Sequence, residues 1–186
     1  MGLEKFIQDT LQDFFHRLRW LAFEAVGLRG DFALFGDHVT SVRKTLELSP
    51  PEIAELSKVL ERKIEIRNYP YLEVHAEGAE KPVLGQIFLM DVIGQSLPIT
   101  FAVGVKPDGT LQDIQVMVYR EPHGDEIREK RFRAQFAGKK LQDPLVVGKD
   151  IDAISGATIS STSAAYAARK GLALADLLQR RMAGKR

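Results

Sequence analysis

Apolar residues recur at steps of three and four over residues 3–26, at Leu3, Ile7, Leu11, Phe14, Leu18, Leu21 and Ala25. That is the period of one helical face, so the pattern predicts a long amphipathic helix. Phe6, Phe15, Trp20 and Phe23 widen the stripe, and Gly27 and Gly30 mark its end. The polar face mixes Glu4, Asp9 and Asp13 with Lys5, Arg17 and Arg19. Lipid-seeking helices carry a basic bias there, so packing on the core or on a partner subunit is favoured over a place in a membrane interface. Residues 31–48 show no firm period. Ser49-Pro50-Pro51-Glu52 then announces a second helix, with a capping Ser, Pro in the first turn and Glu three residues after the cap. It is predicted to run to Lys63 with Ile53, Leu56, Val59 and Leu60 inward. Asn68-Tyr69-Pro70-Tyr71 breaks the pattern. It divides the chain into a helical extension for docking or packing (residues 1–67) and a sheet-rich remainder (residues 68–186).

From Leu72 to Arg120 the pattern is that of strands. Val83 to Val92, Ile99 to Val105 and Leu111 to Tyr119 are rich in Val, Ile, Leu and Phe. Lys106-Pro107-Asp108-Gly109-Thr110 is a hairpin signal, with Pro presetting the turn and Asp-Gly supplying its left-handed position. The expectation is an antiparallel meander buried on one face. Glu121-Pro122-His123-Gly124-Asp125-Glu126 forms a turn, followed by a short helix over residues 126–137 that uses Ile127, Phe132 and Phe136. A final helix is predicted over residues 162–182, with Tyr166, Ala167, Leu174, Leu178 and Met182 inward, covering the sheet. Arg180 and Arg181 near its end suit a helix C-terminus. The fold class is therefore α+β, an antiparallel sheet packed against helices with an N-terminal helical extension.

Charge and composition narrow the function. The 26 Lys and Arg and 25 Asp and Glu leave a net charge of +1, without the basic excess that nucleic-acid binding requires. The chain has no cysteine, which removes thiolate metal sites, iron–sulfur clusters and cysteine nucleophiles. Its four His (His16, His38, His75 and His123) are scattered, a poor basis for a metal site. Redox chemistry here would need an organic cofactor. No stretch approaches the roughly 20 apolar residues of a membrane span, and Glu4, Asp9 and Asp13 interrupt any signal-peptide core. With a trimmed start, the expectation is an extracytoplasmic chain or one held at a membrane through a partner. With Met1 native, it is a cytoplasmic chain.

The segment Asp152-Ala153-Ile154-Ser155-Gly156-Ala157-Thr158-Ile159-Ser160-Ser161-Thr162-Ser163 is rich in hydroxyls, has a small Ser-Gly-Ala centre, and precedes an Ala-rich helix. Small side chains leave backbone amides uncovered, and a helix N-terminus presents free N–H groups to an anion. Residue types alone also allow a simple capped start, with Ser160, Ser161 or Thr162 as the cap. The Gly-Lys-Ser of a P-loop and the spaced glycines of a dinucleotide fingerprint are absent.

Asp152-Ala-Ile-Ser155-Gly156-Ala157-Thr158 resembles the flavinylation motif Asp-x-x-Ser/Thr-Gly-Ala-Thr of the FMN-binding domain family. That family includes flavoprotein subunits of Rnf-type complexes and of the sodium-pumping NADH:quinone oxidoreductase. The resemblance implies that Thr158 carries FMN through a phosphoester made by a magnesium-dependent FMN transferase. Ser155, Gly156 and Ala157 would surround the phosphate, with Ser160 and Ser161 beside them, and Asp152 would serve recognition during attachment. A weaker similarity covers Glu121-Pro122-His123-Gly124 and Gln135-Phe136-Ala137-Gly138-Lys139. Better-known members read Glu-Thr-Pro-Gly-x-Gly at the turn, whereas here His123 precedes the Gly and Glu126 stands after it. The resemblance spans residues 70–182 and implies that Glu121, His123 and Gly124 adjoin the flavin.

The implied function is an electron carrier between a donor and an acceptor protein, possible members of a membrane complex, with the flavin edge near residues 121–124 and the N-terminal helices as docking element. His123 could equally face solvent in its turn or assist proton movement beside a flavin. Three rivals stand beside this reading. One is a flavin-binding or assembly module without redox turnover. Another is a serine hydrolase using Ser155 or Ser160 with His123 and Asp152, although the G-x-S-x-G elbow is absent. The last is a peripheral membrane or scaffold protein built around the first helix.

Overall fold

The computed structural model describes residues 34–36, 38–78 and 82–184. The predicted helix at residues 3–26 lies outside them. Five strands run β1 (Val39–Glu47), β2 (Asn68–Ala76), β3 (Val83–Ile93), β4 (Pro98–Val105) and β5 (Leu111–Val118). They form one sheet in sequence order with every neighbouring pair antiparallel, the predicted meander with one more strand in front. The Lys106–Thr110 turn joins β4 to β5 as its residue types require. Lys106 N donates to Thr110 O (2.8 Å), and the Asp108 carboxylate accepts from the Thr110 amide and hydroxyl.

β1 escaped the sequence pattern because it is an edge strand. Only Val39 and Leu46 of it are buried, so it shows no apolar alternation and is held by its ladder to β2. The expected break at Asn68-Tyr69-Pro70-Tyr71 is instead the start of β2. Pro70 pairs with Thr45 of β1 and lies outside the β2–β3 ladder, which begins at Tyr71–Phe88. A strand contributed by residues 39–47 thus joins the sheet from in front of the expected boundary.

Helix α1 (Pro50–Val59) starts as predicted, and the Glu52 carboxylate accepts from the Ser49 amide (2.8 Å) and hydroxyl (2.6 Å). It stops earlier than predicted because Glu61 turns left-handed and Ser57 Oγ catches the Ile64 amide. Leu56 and Leu60 are buried, with Ile53 and Val59 packed beside them.

After β5, the predicted helix is a broken ribbon: a 3₁₀ turn (Asp125–Arg128), the short α2 (Lys130–Arg133) and a second 3₁₀ turn (Ala134–Phe136). Ile127, Phe132 and Phe136 nevertheless face the core as expected. The long helix α3 (Thr158–Ala183) crosses one face of the sheet. Its Gly171 lies so close to β4 that a Cβ there would sit 2.5 Å from a Val103 methyl. Ala167, Leu174 and Leu178 are buried as predicted, but Met182 is 46% exposed. The last turn of α3 engages α1 through charge instead: Arg181 Nε donates to Glu52 Oε1 (2.6 Å), and Arg180 pairs with Glu55 of α1 as well as with Asp176 one turn back in α3.

Burial on one sheet face was too narrow an expectation. Phe88, Met90, Phe101 and Val103 point toward α3, while Leu72, Val74, Ile87, Leu89 and Ala102 form a second apolar cluster with Leu34. That is why β3 and β4 read as nearly continuous apolar runs. Among the described residues, no helix is long and apolar enough to cross a membrane.

Candidate functional site

The sequence of small and hydroxyl residues before α3 folds into a pinned loop. Ahead of it, burial opposes ionisation of Asp150, but hydrogen bonds from Lys139 Nζ (2.8 Å) and the Val146 and Leu145 amides hold its carboxyl below the usual range. Gln135 then brackets the backbone of Asp152, accepting from its amide at 2.7 Å and donating to its carbonyl at 3.3 Å. The Gln135–Lys139 run singled out by resemblance therefore has a structural role, which is to fix the approach to Asp152.

Gly156 takes a left-handed turn (φ +81°) with open space where a Cβ would point. Ala157 is the N-cap of α3 and provides no side-chain cap, and the first turn holds no acidic residue. The expectation that Ser160, Ser161 or Thr162 caps the helix is wrong: all three lie inside it. Ser161 Oγ and Thr162 Oγ1 bond back to the carbonyls four residues earlier, at 2.8 and 2.9 Å. Helix formation from Thr158 thus leaves the first-turn amides at 158–160 without intrahelical partners, facing outward at the positive end of the dipole. Thr158 is exposed at the first helical residue, beyond the loop in which the sequence placed it.

Two clefts meet at Thr158 and Ile159. One, of about 240 Å3, is lined also by Gln95, Glu121, His123, Gly156 and Ser160. The other, of about 210 Å3, runs past Ile93, Gly94 and Thr162. Each is smaller than the roughly 300–1,000 Å3 of a typical ligand pocket, so a group held here would leave part of itself at the surface.

The wall of the first cleft is built by a short chain of contacts. Tyr119 Oη donates to the His123 carbonyl (2.5 Å), so the Ser160 hydroxyl donates to Tyr119 Oη (2.7 Å). Burial raises the Tyr119 pKa above its ordinary value, against the opposing effect of the Ser160 bond. Gly124 is buried beneath this chain with φ +98°, and a Cβ on it would meet both hydroxyl oxygens at 2.7 Å. Glu121 accepts from the Ser96 (2.6 Å) and Leu97 (2.8 Å) amides, and these bonds hold its carboxyl below the usual range. It therefore anchors the β3–β4 turn that brings Gln95 to the cleft.

The structure brings together Thr158, Gly156, Ala157, Ser160, Glu121 and His123. Gly124 stands behind the wall, and Ser155 and Asp152 are exposed on the approach. Ser161 does not belong with them: it is fully buried, bonded to the Ala157 carbonyl and the Ile154 amide. The hydrolase geometry is also missing, because Ser160 is engaged by Tyr119 and no His–Ser or His–Asp hydrogen bond links His123 to Ser155, Ser160 or Asp152 among the described residues. Sequence reasoning missed Gln95, Ile159 and Tyr119. Of these only Tyr119 gave a signal, as an aromatic ending a strand beside the turn.

Residues 94–173 match the model of the FMN-binding domain family. Over this stretch the chain is similar to FMN-binding domains. The match takes in the Glu121 turn, the Asp152–Thr158 motif and the first half of α3. The fold is shared with the crystal structure of NqrC from Shewanella oneidensis, at a TM-score of 0.55 and 16% identity over 91% of this chain and 97% of that one. A search of curated proteins finds no match. The residues gathered here would fit an FMN: an exposed Thr158, an uncapped helix start, open space over Gly156, and adjoining clefts with polar and apolar walls.

Proposed function

We propose that the protein is an electron carrier holding FMN through a phosphoester at Thr158. The observation that carries this reading is the exposed Thr158 hydroxyl at the first residue of an uncapped helix, where two clefts meet within the FMN-binding domain. Attachment would form an Oγ1–P bond while the phosphoanhydride P–O bond of a flavin dinucleotide donor breaks, the nucleoside monophosphate leaves with the bonding electron pair, and the hydroxyl proton passes to a base of the FMN transferase. Asp152, exposed and with its backbone clamped by Gln135, is available to the transferase. Once bound, the flavin supplies the one- or two-electron chemistry.

The chain's own residues position and tether. Gly156 and Ala157 keep the backbone open around the phosphate, and the amides at 158–160 face its charge. Gln95 and His123 line the cleft nearest residues 121–124, where a flavin edge would meet solvent and partner proteins. The likeness in fold to NqrC and the motif shared with redox-complex flavoproteins support a donor and an acceptor protein, in a membrane complex, as partners.

Coexpression with an FMN transferase, followed by visible spectroscopy and reductive titration, tests the reading. The expected result is a yellow protein that bleaches and recovers reversibly. A flavin that binds but resists reversible reduction would reduce the protein to a binding module, and a colourless protein would refute the proposal.

A further inference from the structure

Arg62 lies in the turn after α1, outside the stretch matched by the FMN-binding family. The turn is held firmly: the Arg62 amide donates to the Ser57 carbonyl (3.1 Å) and the Ser57 hydroxyl accepts from the Ile64 amide (3.0 Å). From there the guanidinium reaches across to α3 and stacks 4.3 Å from the ring centroid of Tyr166. Thr158, Thr162 and Tyr166 follow one another at four-residue steps, so they share a face of α3. Arg62 and Thr158 both line the 210 Å3 cleft, whose lining includes no carboxylate. Arg62 forms no ion pair among the described residues. Among the described residues, this cleft brings the Arg62 side chain and Thr158 to one lining with no carboxylate between them.

We infer that Arg62 is a cofactor-binding residue, whose guanidinium meets the phosphodiester anion carried on Thr158. The inference rests on the Thr158 reading and extends it, because it makes a residue outside the family domain part of the flavin site. A guanidinium is well suited to meeting such an anion. It stays charged at all relevant pH, offers several donors in a plane, and stacks on an aromatic ring while donating at its edge. Tyr166 then acts as a platform that aims Arg62 along the face of α3 toward Thr158.

The test uses the full chain with FMN transferase, comparing wild type, Arg62→Gln and Arg62→Lys. Intact mass follows attachment with time at limiting transferase, and phosphorus NMR reads the phosphodiester of the loaded proteins. Arg62→Gln should slow attachment about two- to fivefold, the range of a partly exposed charge pair, and move the phosphorus resonance. Arg62→Lys should recover part of the rate, because it restores the charge without the planar, stacked donors. The difference between wild type and Arg62→Gln should vanish near 1 M salt, where screening acts within about 3 Å. Equal rates and resonances in wild type and Arg62→Gln would overturn the inference while leaving Thr158 as the attachment residue. A defect that neither Lys relieves nor high salt removes would assign Arg62 to packing on Tyr166 alone, overturning it too. If Arg62→Gln does not fold, the wild type decides: a phosphorus resonance that moves between low and high salt supports the contact, and one that stays still refutes it. A wild type that takes no flavin removes the Thr158 reading itself.

Discussion

Gly124→Ala should be among the most damaging single-methyl additions in the protein. Gly124 has φ +98°, and the left-handed region costs a residue with a Cβ roughly 1–2 kcal/mol. The added carbon would also sit 2.7 Å from both Ser160 Oγ and Tyr119 Oη, which are themselves 2.7 Å apart in a hydrogen bond. That bond must break or move. Ser160 is 5% exposed, so its hydroxyl would be left without a partner at a further cost of about 1–3 kcal/mol. The two effects together predict a loss of about 2–5 kcal/mol. Gly156→Ala is the matched control, with φ +81° but nothing within 4 Å of its Cβ, so it should lose only the conformational part. Urea denaturation of both variants, extrapolated linearly to water, measures the difference. Gly124→Ala should be the less stable by about 1–3 kcal/mol. Equal losses would show that the Tyr119–Ser160 contact neither holds the turn against α3 nor shapes the cleft wall.

Gly171→Ala should destabilise by about 1–3 kcal/mol from overpacking against Val103, which exceeds the roughly 1 kcal/mol of helix propensity it gains; a stabilised variant in thermal unfolding would contradict the α3–β4 approach. Glu52 has its carboxyl pulled from 4.5 to about 2, chiefly by its hydrogen bonds to Arg181, with burial opposing and the Ser49 bonds adding to the effect. A lowered folded pKa gives stability that is complete above the unfolded value and is lost as pH falls from about 4.5 toward 2. Glu52→Gln should therefore lose about 1–2 kcal/mol at neutral pH and show a shallower acid limb, and an unchanged limb would count against the α1–α3 clamp. Ser161→Ala should cost about 1 kcal/mol by stranding the Ile154 amide, yet keep the flavin; loss of flavin in a folded Ser161→Ala protein would return Ser161 to the site.

What could be read from the sequence was whatever a single segment encodes. The Lys106–Thr110 turn, the Ser49–Glu52 helix start and the apolar strands each announce themselves through local residue types, and each stands where expected. Elements defined by a distant partner were hidden. β1 has only Val39 and Leu46 buried and exists because β2 offers it a ladder. Met182 fits the apolar stripe of its helix but is exposed, because the end of α3 is claimed by Glu52 and Glu55 of α1.

The site divides in the same way. The motif from Asp152 to Thr158 was legible through its resemblance to the flavinylation motif, since its small and hydroxyl residue types alone also allowed a simple capped start. The fate of each hydroxyl was not, because Ser160, Ser161 and Thr162 are good caps by type and became residues inside the helix when Gly156 started it early. Glu121 looked like a flavin contact, but its carboxylate is already engaged by two backbone amides across the β3–β4 turn. Arg62 carried no motif at all, and only the packing of α1 against α3 brings it to the cleft.

Intact mass of wild type and Thr158→Val after coexpression with an FMN transferase tests the central claim most directly. Valine keeps the shape of threonine and removes only the hydroxyl that a phosphoester needs. At an exposed first helical residue the change should shift stability by no more than about 0.5 kcal/mol, so both proteins should fold. The wild type should carry the mass of one FMN joined with loss of water, and Thr158→Val should show the bare polypeptide mass and no visible absorption. A Thr158→Val protein that still bears covalent flavin, or a folded wild type that never acquires it, would contradict the account.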